Sequence, residues 1–232
     1  MTSKKKIVVL SGAGVSAESG VKTFRDDDGL WEGHDVMQVA SPEGWAADMD
    51  LVLEFYNQRR KQALEVQPNL GHKIIADLEN DFEVSIVTQN VDNLHERAGS
   101  TQVMHLHGEL FKCRSTLDDN LIYDMEGWEL KKGDLCEKGA QLRPHIVWFG
   151  EMVPLMDDAI QEVQSADVFI VIGTSLVVYP AAGLIHHTKP GIPIFVIDPK
   201  LPDLPTMAKM TTFEEGGSTG MKKVVEMLKS IN

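Results

Sequence analysis

Residues 6–25, KIVVLSGAGVSAESGVKTFR, set the frame in which the other 212 or so positions are read. Ile7 to Leu10 is a short apolar run rich in β-branched residues, the signature of a strand buried on both faces. It stops at a small-residue turn, Ser11 to Gly20, where a parallel strand hands over to a helix. Gly12 and Gly14 let backbone amides approach a phosphate with no Cβ in the way, and a helix opening near Val15 aims its positive end at an anion. Gly12, Gly14 and Ala17 match the dinucleotide fingerprint in its Ala-ended form. A glycine-bearing strand-to-helix turn without a ligand fits the same residues. The fingerprint also expects an acid about 20 positions on, at the end of a second strand. Asp26, Asp27 and Asp28 stand instead in a polar turn, which disfavours an ordinary hydride-transferring dehydrogenase.

Outward from this turn the chain keeps alternating. A chain of 232 residues with 43% hydrophobic and 25% charged content is expected to be a soluble α/β protein, one main domain with room for a small module. The net charge of −13 supplies no basic stripe for nucleic acid. Lys4 to Lys6 lead into no signal-like segment, and no apolar run is long enough to span a bilayer, so a cytoplasmic protein with no membrane partner is expected. Cys113 and Cys136 make no disulfide framework.

Ser41-Pro42 reads as an N-cap and first helical residue, opening a helical stretch to about Gln67 with Leu51, Val52 and Phe55 on its apolar stripe. Leu70–Asn80 reads as a helix, and Val84–Val87 as a strand ending in Thr88-Gln89-Asn90-Val91-Asp92-Asn93. Val103–His107 reads as a short strand. Residues 108 to 144 have few apolar runs and read as an excursion outside the core. Beyond it, strands are expected at 146–149, 168–172 and 193–197, and helices at 157–164, 180–187 and around Met221, Val224, Val225 and Leu228. About five apolar strands alternating with helices imply a parallel sheet covered on both faces.

Three strand ends are small or polar where a buried strand emerges: Gly12 onward, Gln89-Asn90-Val91-Asp92, and Gly173-Thr174-Ser175. Amides, hydroxyls and glycines suit a ligand with phosphates and ribose hydroxyls, although helix capping alone also accounts for Thr174 and Ser175. His105 and His107 alternate along their expected strand and so face one side. A strand histidine usually serves as a structural hydrogen-bonder. Gly108 thins the backbone beside His107, and an imidazole titrating near neutrality suits a general base.

Taken together, Gly12 to Gly20 with Phe24-Arg25, Thr88 to Asp92, Leu106-His107-Gly108, Arg143-Pro144 with Trp148 to Glu151, and Gly173-Thr174-Ser175 occur in the order seen in sirtuins. The resemblance runs from Ile7 to about Pro199. It implies an NAD-dependent protein-lysine deacylase on an inverted Rossmann-like α/β fold. Residues 1–30, 72–107 and 145–232 would form the NAD-binding domain. Residues 31–71, a helical module, and 108–144, a degenerate zinc-type module, would form a smaller domain. Carried over by position, Gly12, Ala13, Gly14, Ser16 and Ala17 would hold the pyrophosphate. Phe24 and Arg25 would close over the nicotinamide side, Thr23 and Trp31 would also contact the cofactor, and Gln89, Asn90 and Asp92 would bind ribose and nicotinamide. Gly173, Thr174, Ser175 and Asp198, where the family usually has Asn, would line the adenosine half.

His107 corresponds to the family's catalytic base. The implied mechanism has the acyl-lysine carbonyl oxygen attack the ribose carbon as nicotinamide leaves. His107 then helps deprotonate the ribose hydroxyl that attacks the imidate, giving O-acyl-ADP-ribose. An acylated protein or peptide would lie as a strand between Phe149-Gly150-Glu151 and the segment after Ser175, with Val147, Phe149 and Gly150 as contacts. An ADP-ribosyltransferase and a non-catalytic NAD or ADP-ribose module are the alternatives.

Two departures carry information. Most sirtuins hold a structural zinc with two Cys-x-x-Cys pairs, whereas Cys113-Arg114-Ser115-Thr116 and Cys136-Glu137-Lys138-Gly139 each keep only the first cysteine. Asp118, Asp134 or His145 offer further ligands, yet the simpler expectation is no structural zinc and a module held by packing. Secondly, Tyr56 and Arg59 are three apart and share a helix face. Without the family context they read as a core-edge tyrosine beside a solvated arginine. A sirtuin subgroup that removes malonyl, succinyl and related acidic groups has a Tyr-x-x-Arg pair here with a small residue upstream, matched by Tyr56, Arg59 and Ala40. A buried acyl carboxylate needs a charged partner, which guanidinium and phenol supply.

Overall fold

Ile7 to Leu10 are fully buried at the centre of a parallel sheet. The structure, a computed structural model, describes residues 4–21, 30–31 and 33–230. In chain order the elements are β1 (Lys6–Ser11), α1 (Gly14–Ala17), β2 (Leu30–Trp31), β3 (His34–Asp35), α2 (Val36–Val39), α3 (Pro42–Ala47), α4 (Met49–Glu65) and α5 (Leu70–Asp77). There follow β4 (Glu83–Thr88), α6 (Leu94–Ala98), β5 (Val103–His105), β6 (Gly108–Ser115), β7 (Ile122–Asp124) and β8 (Leu142–Ile146). The chain closes with α7 (Met156–Ser165), β9 (Val168–Ile172), β10 (Ile194–Ile197), β11 (Met210–Phe213) and α8 (Gly217–Leu228). Tighter 3-10 turns occupy Leu78–Asn80 and Ala181–His187.

The main sheet has the order β11-β10-β9-β1-β4-β5, with every pair parallel. Alternation along β1 sorts its side chains to two layers. Ile7 and Val9 pack with Ile75 of α5 and Met221, Val224 and Leu228 of α8. Val8 and Leu10 pack with Ala159 and Val163 of α7 and Leu184 of the second 3-10 turn. From β1 the chain builds outward through β4 and β5, then returns to the other side of β1 for β9, β10 and β11. The strand order therefore reverses between β1 and β9, and the carboxyl ends of those two strands flank the crevice where such sheets bind ligands.

Beside this sheet, β7-β6-β8 form a separate antiparallel sheet. Two of these strands, β6 and β7, were not expected from the sequence. Short, mixed-polarity strands of a three-stranded sheet lack the apolar runs that mark a buried parallel one. The strand expected at 146–149 lies earlier, at Leu142–Ile146, and the one expected at 103–107 stops at His105. The helical stretch from Ser41 is broken at Asp48, whose side chain accepts the Leu51 amide at 2.9 Å and starts α4 afresh. Ser41 caps α3 as expected, accepting the Gly44 amide at 2.9 Å. The edge strand β11 was also unforeseen: Thr211 and Thr212 dilute its apolar signal.

Two buried polar residues of α4 tie it to the second sheet. Arg60 is fully buried and donates to the carbonyls of Trp128 at 2.6 Å and Leu110 at 3.2 Å, and to Asn57 Oδ1 at 2.6 Å. Asn57 in turn donates to the Leu130 carbonyl at 3.1 Å and accepts the Leu130 amide at 2.9 Å. Leu53, Cys113 and Leu130 form a small apolar cluster beside the tie, and Tyr123 packs against it. Burial pushes the Arg60 pKa down to about 10, which still leaves it charged at neutral pH. Among the described residues no group of three or more His, Cys, Asp and Glu side chains is placed to hold a metal ion. Replacing Arg60 by Met leaves these buried acceptors short of a donor and should lower the unfolding free energy by about 2–4 kcal/mol. Urea unfolding followed by tryptophan fluorescence measures the loss, and a change below about 0.5 kcal/mol would remove Arg60 from the account.

Candidate functional site

At the crevice the two strand ends are locked together. Gly12 donates its amide to the Ile172 carbonyl at 3.0 Å, and Gly14 donates to the Gly173 carbonyl at 2.8 Å. A Cβ on Gly14 would lie 2.7 Å from Gly173 Cα, and one on Gly12 would lie 2.7 Å from Thr174 Cβ. Gly173 has φ +62°, and a Cβ there would lie 2.1 Å from the Val15 nitrogen. These glycines are thus required first by the close approach of two backbones. The amides of Gly12 and Gly14 are taken up by carbonyls at the end of β9 and just beyond it. The helix behind the turn is a single turn, Gly14–Ala17, too short for a full macrodipole. Ala13 borders this turn half-exposed, and Ala17 is exposed.

The strand end of β4 closes the crevice from the other side. Gln89 donates to Thr174 Oγ1 at 2.9 Å. Asn90 Nδ2 lies 3.2 Å from both the Gly12 carbonyl and Ser16 Oγ, and Ser16 Oγ donates to Asp92 at 3.1 Å. Asp92 also accepts the Leu94 amide at 3.1 Å. Burial raises its pKa, against the pull of these hydrogen bonds. Two of the three expected clusters therefore meet through Ser16, and the third joins through Thr174. Ser175 follows, half-exposed, and Asp198 is buried at the end of β10, where it accepts the Lys200 amide at 2.9 Å.

His107 stands in the turn after β5, not on a strand. Gly108, at φ +83°, makes this bend possible, since a Cβ there would lie 2.0 Å from the His145 carbonyl oxygen. The His107 Nδ1–H donates to the Gln89 carbonyl at 3.1 Å. That bond assigns the tautomer and leaves Nε2 with the basic lone pair. Burial lowers the His107 pKa, so the ring is neutral at pH 7. His105 differs in kind. It bonds the Asn90 carbonyl at 2.8 Å and Glu96 at 2.7 Å; burial pulls its pKa down, but Glu96 outweighs this and raises it. Both imidazoles face the Gln89–Asn90 backbone, and His107, unlike His105, meets no carboxylate among the described residues.

The side of the site nearest α4 gathers the remaining candidates. Tyr56 is fully buried, packs its ring 6.2 Å from Trp31, and accepts Trp148 Nε1–H at 3.1 Å. Burial raises its pKa further, so the phenol keeps its proton. Arg59 lies with its guanidinium carbon 5.4 Å from the Trp31 ring centre and donates to Gln62 at 3.0 Å. A small cavity of about 30 Å³ brings Arg59 together with Ala63, Val91, Asp92 and Leu110. Ala40, buried in the same cluster as Tyr56 and Trp148, accepts the Phe149 amide at 2.9 Å. Val147 donates to the His107 carbonyl at 2.9 Å, and Gly150 takes φ +89°. Thr23, Phe24 and Arg25 lie outside the described residues.

Sequence reasoning passed over a buried hydroxyl–imidazole layer behind the crevice. Ser11 Oγ donates to Thr88 Oγ1 at 2.8 Å and stands 2.9 Å from His95 Nε2, which must therefore carry the proton. His72 Nε2 is 3.5 Å from Ser16 Oγ, and the two rings meet edge to face at 4.9 Å. The only signal was indirect: a histidine one turn beyond Asp92, and another just inside the Asn69 cap of α5.

This geometry agrees with what the chain is similar to. Residues 12–180 match the model of the Sir2 family. An "NAD-dependent protein deacylase" of Helicobacter pylori is 59% identical over 196 residues, covering 84% of this chain and 85% of that one. A protein of the same name from Bacteroides thetaiotaomicron is 52% identical over 229 residues, covering 97% and 98%. Among solved structures, a Sir2 homolog–NAD complex superposes with a TM-score of 0.87 at 40% identity, covering 98% of this chain and 91% of that one. An ADP-ribose complex of a mutant Sir2 homologue gives 0.89 at 40% identity, with 98% and 93% covered.

The buried imidazoles have a measurable consequence. Burial pushes the His72 pKa from its ordinary 6.5 down to about 4, and that of His95 well below 6.5. The unfolded chain takes up protons near pH 6.5 and the folded chain does not. Stability is therefore full above pH 6.5 and falls as the pH drops through the window toward 4. His72 by itself accounts for about 2–3 kcal/mol of that loss by pH 4. Urea unfolding across this range should show a flatter slope for His72→Gln, and an unchanged slope would contradict the buried neutral assignment.

Proposed function

The chain belongs to the Sir2 family, and from that premise we propose that it works as an NAD-dependent protein deacylase whose range includes succinyl- and malonyl-type groups beside acetyl. The observation that carries the reading is the meeting of Gln89, Asn90 and Asp92 with the Gly12–Ser16 turn and Thr174, beside a neutral His107 fixed on the Gln89 carbonyl.

These residues suit NAD. Buried hydroxyl, amide and carboxylate groups converge on one crevice, beside which Ala13 and Gly14 stay half-exposed. Bound there, NAD supplies an electrophilic ribose carbon with nicotinamide as leaving group. The turn Gly12, Ala13, Gly14, Ser16 and Ala17 is proposed to border the pyrophosphate, with Phe24 and Arg25 on the nicotinamide side and Thr23 and Trp31 also contacting the cofactor. Gln89, Asn90 and Asp92 hold ribose and nicotinamide; Gly173, Thr174, Ser175 and Asp198 border the adenosine half. His107 takes a hydroxyl proton at Nε2, while its Nδ1–H stays on the Gln89 carbonyl. Because burial holds its pKa below 6.5, the base is in its working form at neutral pH.

The acylated protein or peptide is proposed to lie along Val147, Phe149 and Gly150. The amides of Val147 and Phe149 are already donated within the chain, so an extended substrate pairs with carbonyls there. Residues 31–71 and 108–144 are proposed to form the smaller domain against 1–30, 72–107 and 145–232, as the separation of the β7-β6-β8 sheet from the parallel one supports. The buried tie between Asn57, Arg60 and the second sheet supports a module that needs no zinc; stoichiometric zinc in purified protein would overturn that. No helix among the described residues is long and apolar enough to cross a membrane.

Incubation with NAD and either acetyl- or succinyl-lysine peptide should release nicotinamide in proportion to peptide deacylated. Absence of peptide-dependent release with both peptides overturns the deacylase reading, and ADP-ribose found on the protein substrate would assign a transferase. For acyl choice, Arg59→Met removes a charge-assisted partner and should lower desuccinylation kcat/KM by about ten- to a hundredfold while deacetylation changes by less than about threefold. Equal losses on both substrates would take Arg59 out of the specificity argument.

A further inference from the structure

Trp148 controls where the proton of Tyr56 can go. An indole N–H is a donor only, so in the 3.1 Å contact the Tyr56 oxygen is the acceptor. The phenol's own O–H must then point elsewhere, and it meets no acceptor among the described residues. Tyr56 is 0% and Trp148 2% exposed, so bulk water does not fill that role. A buried hydroxyl with an uncommitted proton is a receptor for an acceptor brought in from outside.

The indole is held so that it cannot swing away. The Arg143 guanidinium carbon lies 3.4 Å from the Trp148 ring centre, and Trp45 lies against the same ring at 5.7 Å. Arg143 is fixed by Glu151 through contacts of 2.7 and 3.0 Å, and Glu151 Oε2 also accepts the Trp148 backbone amide at 2.8 Å. Arg114 grips the same carboxylate at 3.1 Å. Main chain and ring of Trp148 are therefore fixed by one carboxylate and its two arginines. On the other side of Tyr56, Arg59 and Tyr56 flank the Trp31 ring from one helix face.

We propose that Trp148 is a positioning residue for acyl-chain selectivity: its Nε1–H occupies the acceptor side of the Tyr56 oxygen and thereby aims the phenol proton at the carboxylate of an acidic acyl group. The proposal rests on the reading that Tyr56 and Arg59 receive that carboxylate. Trp148 itself need not touch the substrate. An acetyl group offers no carboxylate, so its removal is indifferent to the orientation of the Tyr56 hydroxyl.

Trp148→Phe deletes the donor and keeps an aromatic ring beneath Arg143. Binding of a fluorescent succinyl-lysine peptide without NAD, read by anisotropy, should weaken about tenfold, with the same rise in KM and little change in kcat; acetyl-lysine peptide should change less than about twofold. In a Tyr56→Phe background the further effect of Trp148→Phe should vanish. Equal losses on both peptides, or an undiminished effect in that background, would assign Trp148 a packing role and overturn the proposal. If the Phe variant melts early, benzothienylalanine at position 148 replaces N–H by sulfur in the same bicyclic shape and is read in the same way. Loss of succinyl-peptide binding in Arg59→Met but not in the Trp148 variants overturns this inference alone. Retention in all of them overturns the acyl-carboxylate reading with it.

Discussion

Two hydrogen bonds between strand ends, Gly12 to Ile172 and Gly14 to Gly173, are the constraint from which the site follows. They join β1 to β9 at the point where strand order reverses. No side chain can stand at positions 12, 14 or 173 without colliding with opposing backbone or with Thr174. The glycines bring two chains so close that the polar residues following them share one crevice. Asn90 then reaches the Gly12 carbonyl, Gln89 reaches Thr174, and Ser16 reaches Asp92. A segment that reads as a phosphate cradle is, in the folded chain, first a seam between strands.

Behind that seam lies a layer of buried neutral hydroxyls and imidazoles, in which His72 Nδ1 and His95 Nδ1 meet no partner among the described residues. His95 donates to Ser11, which donates to Thr88, while His72 stands beside Ser16; the two rings meet only edge to face, and burial keeps both imidazoles uncharged at neutral pH. Fixed dipoles of this kind hold Asp92 and Asn90 in place without adding charge next to a ligand site. His107 belongs to a different regime. It is held by one backbone carbonyl, meets no carboxylate among the described residues, and has its second nitrogen basic. His105, two residues earlier, is claimed by Glu96.

The smaller sheet shows another solution to the cost of buried polarity. Among the described residues Arg60 meets no carboxylate hydrogen-bond partner and is stabilised by carbonyl oxygens and Asn57. One helix thereby carries two jobs on adjacent residues. Asn57 and Arg60 fasten the β6–β8 sheet, while Tyr56 and Arg59 face Trp31 and the site. Leu110 connects the two, since its carbonyl accepts from Arg60 and its amide donates to the Val91 carbonyl.

Residue order alone determined the parallel sheet and its layers. Buried strands such as Val168–Ile172 are continuous apolar runs rich in β-branched residues, and caps such as Ser41 act through neighbours three positions away. It also determined which residues would converge, because strand ends at a switch point must meet. Strands β6 and β7 were not legible: they carry no run or alternation strong enough to outweigh turn-like composition. Nor was the separation of His105 from His107, which depends on Glu96 arriving from α6 and on a bend at Gly108. Trp148 lay within a recognised motif, yet its bond to Tyr56 spans 92 positions in the chain. Contacts of that kind depend on which faces pack together, and sequence spacing holds no information about the direction of a phenol proton.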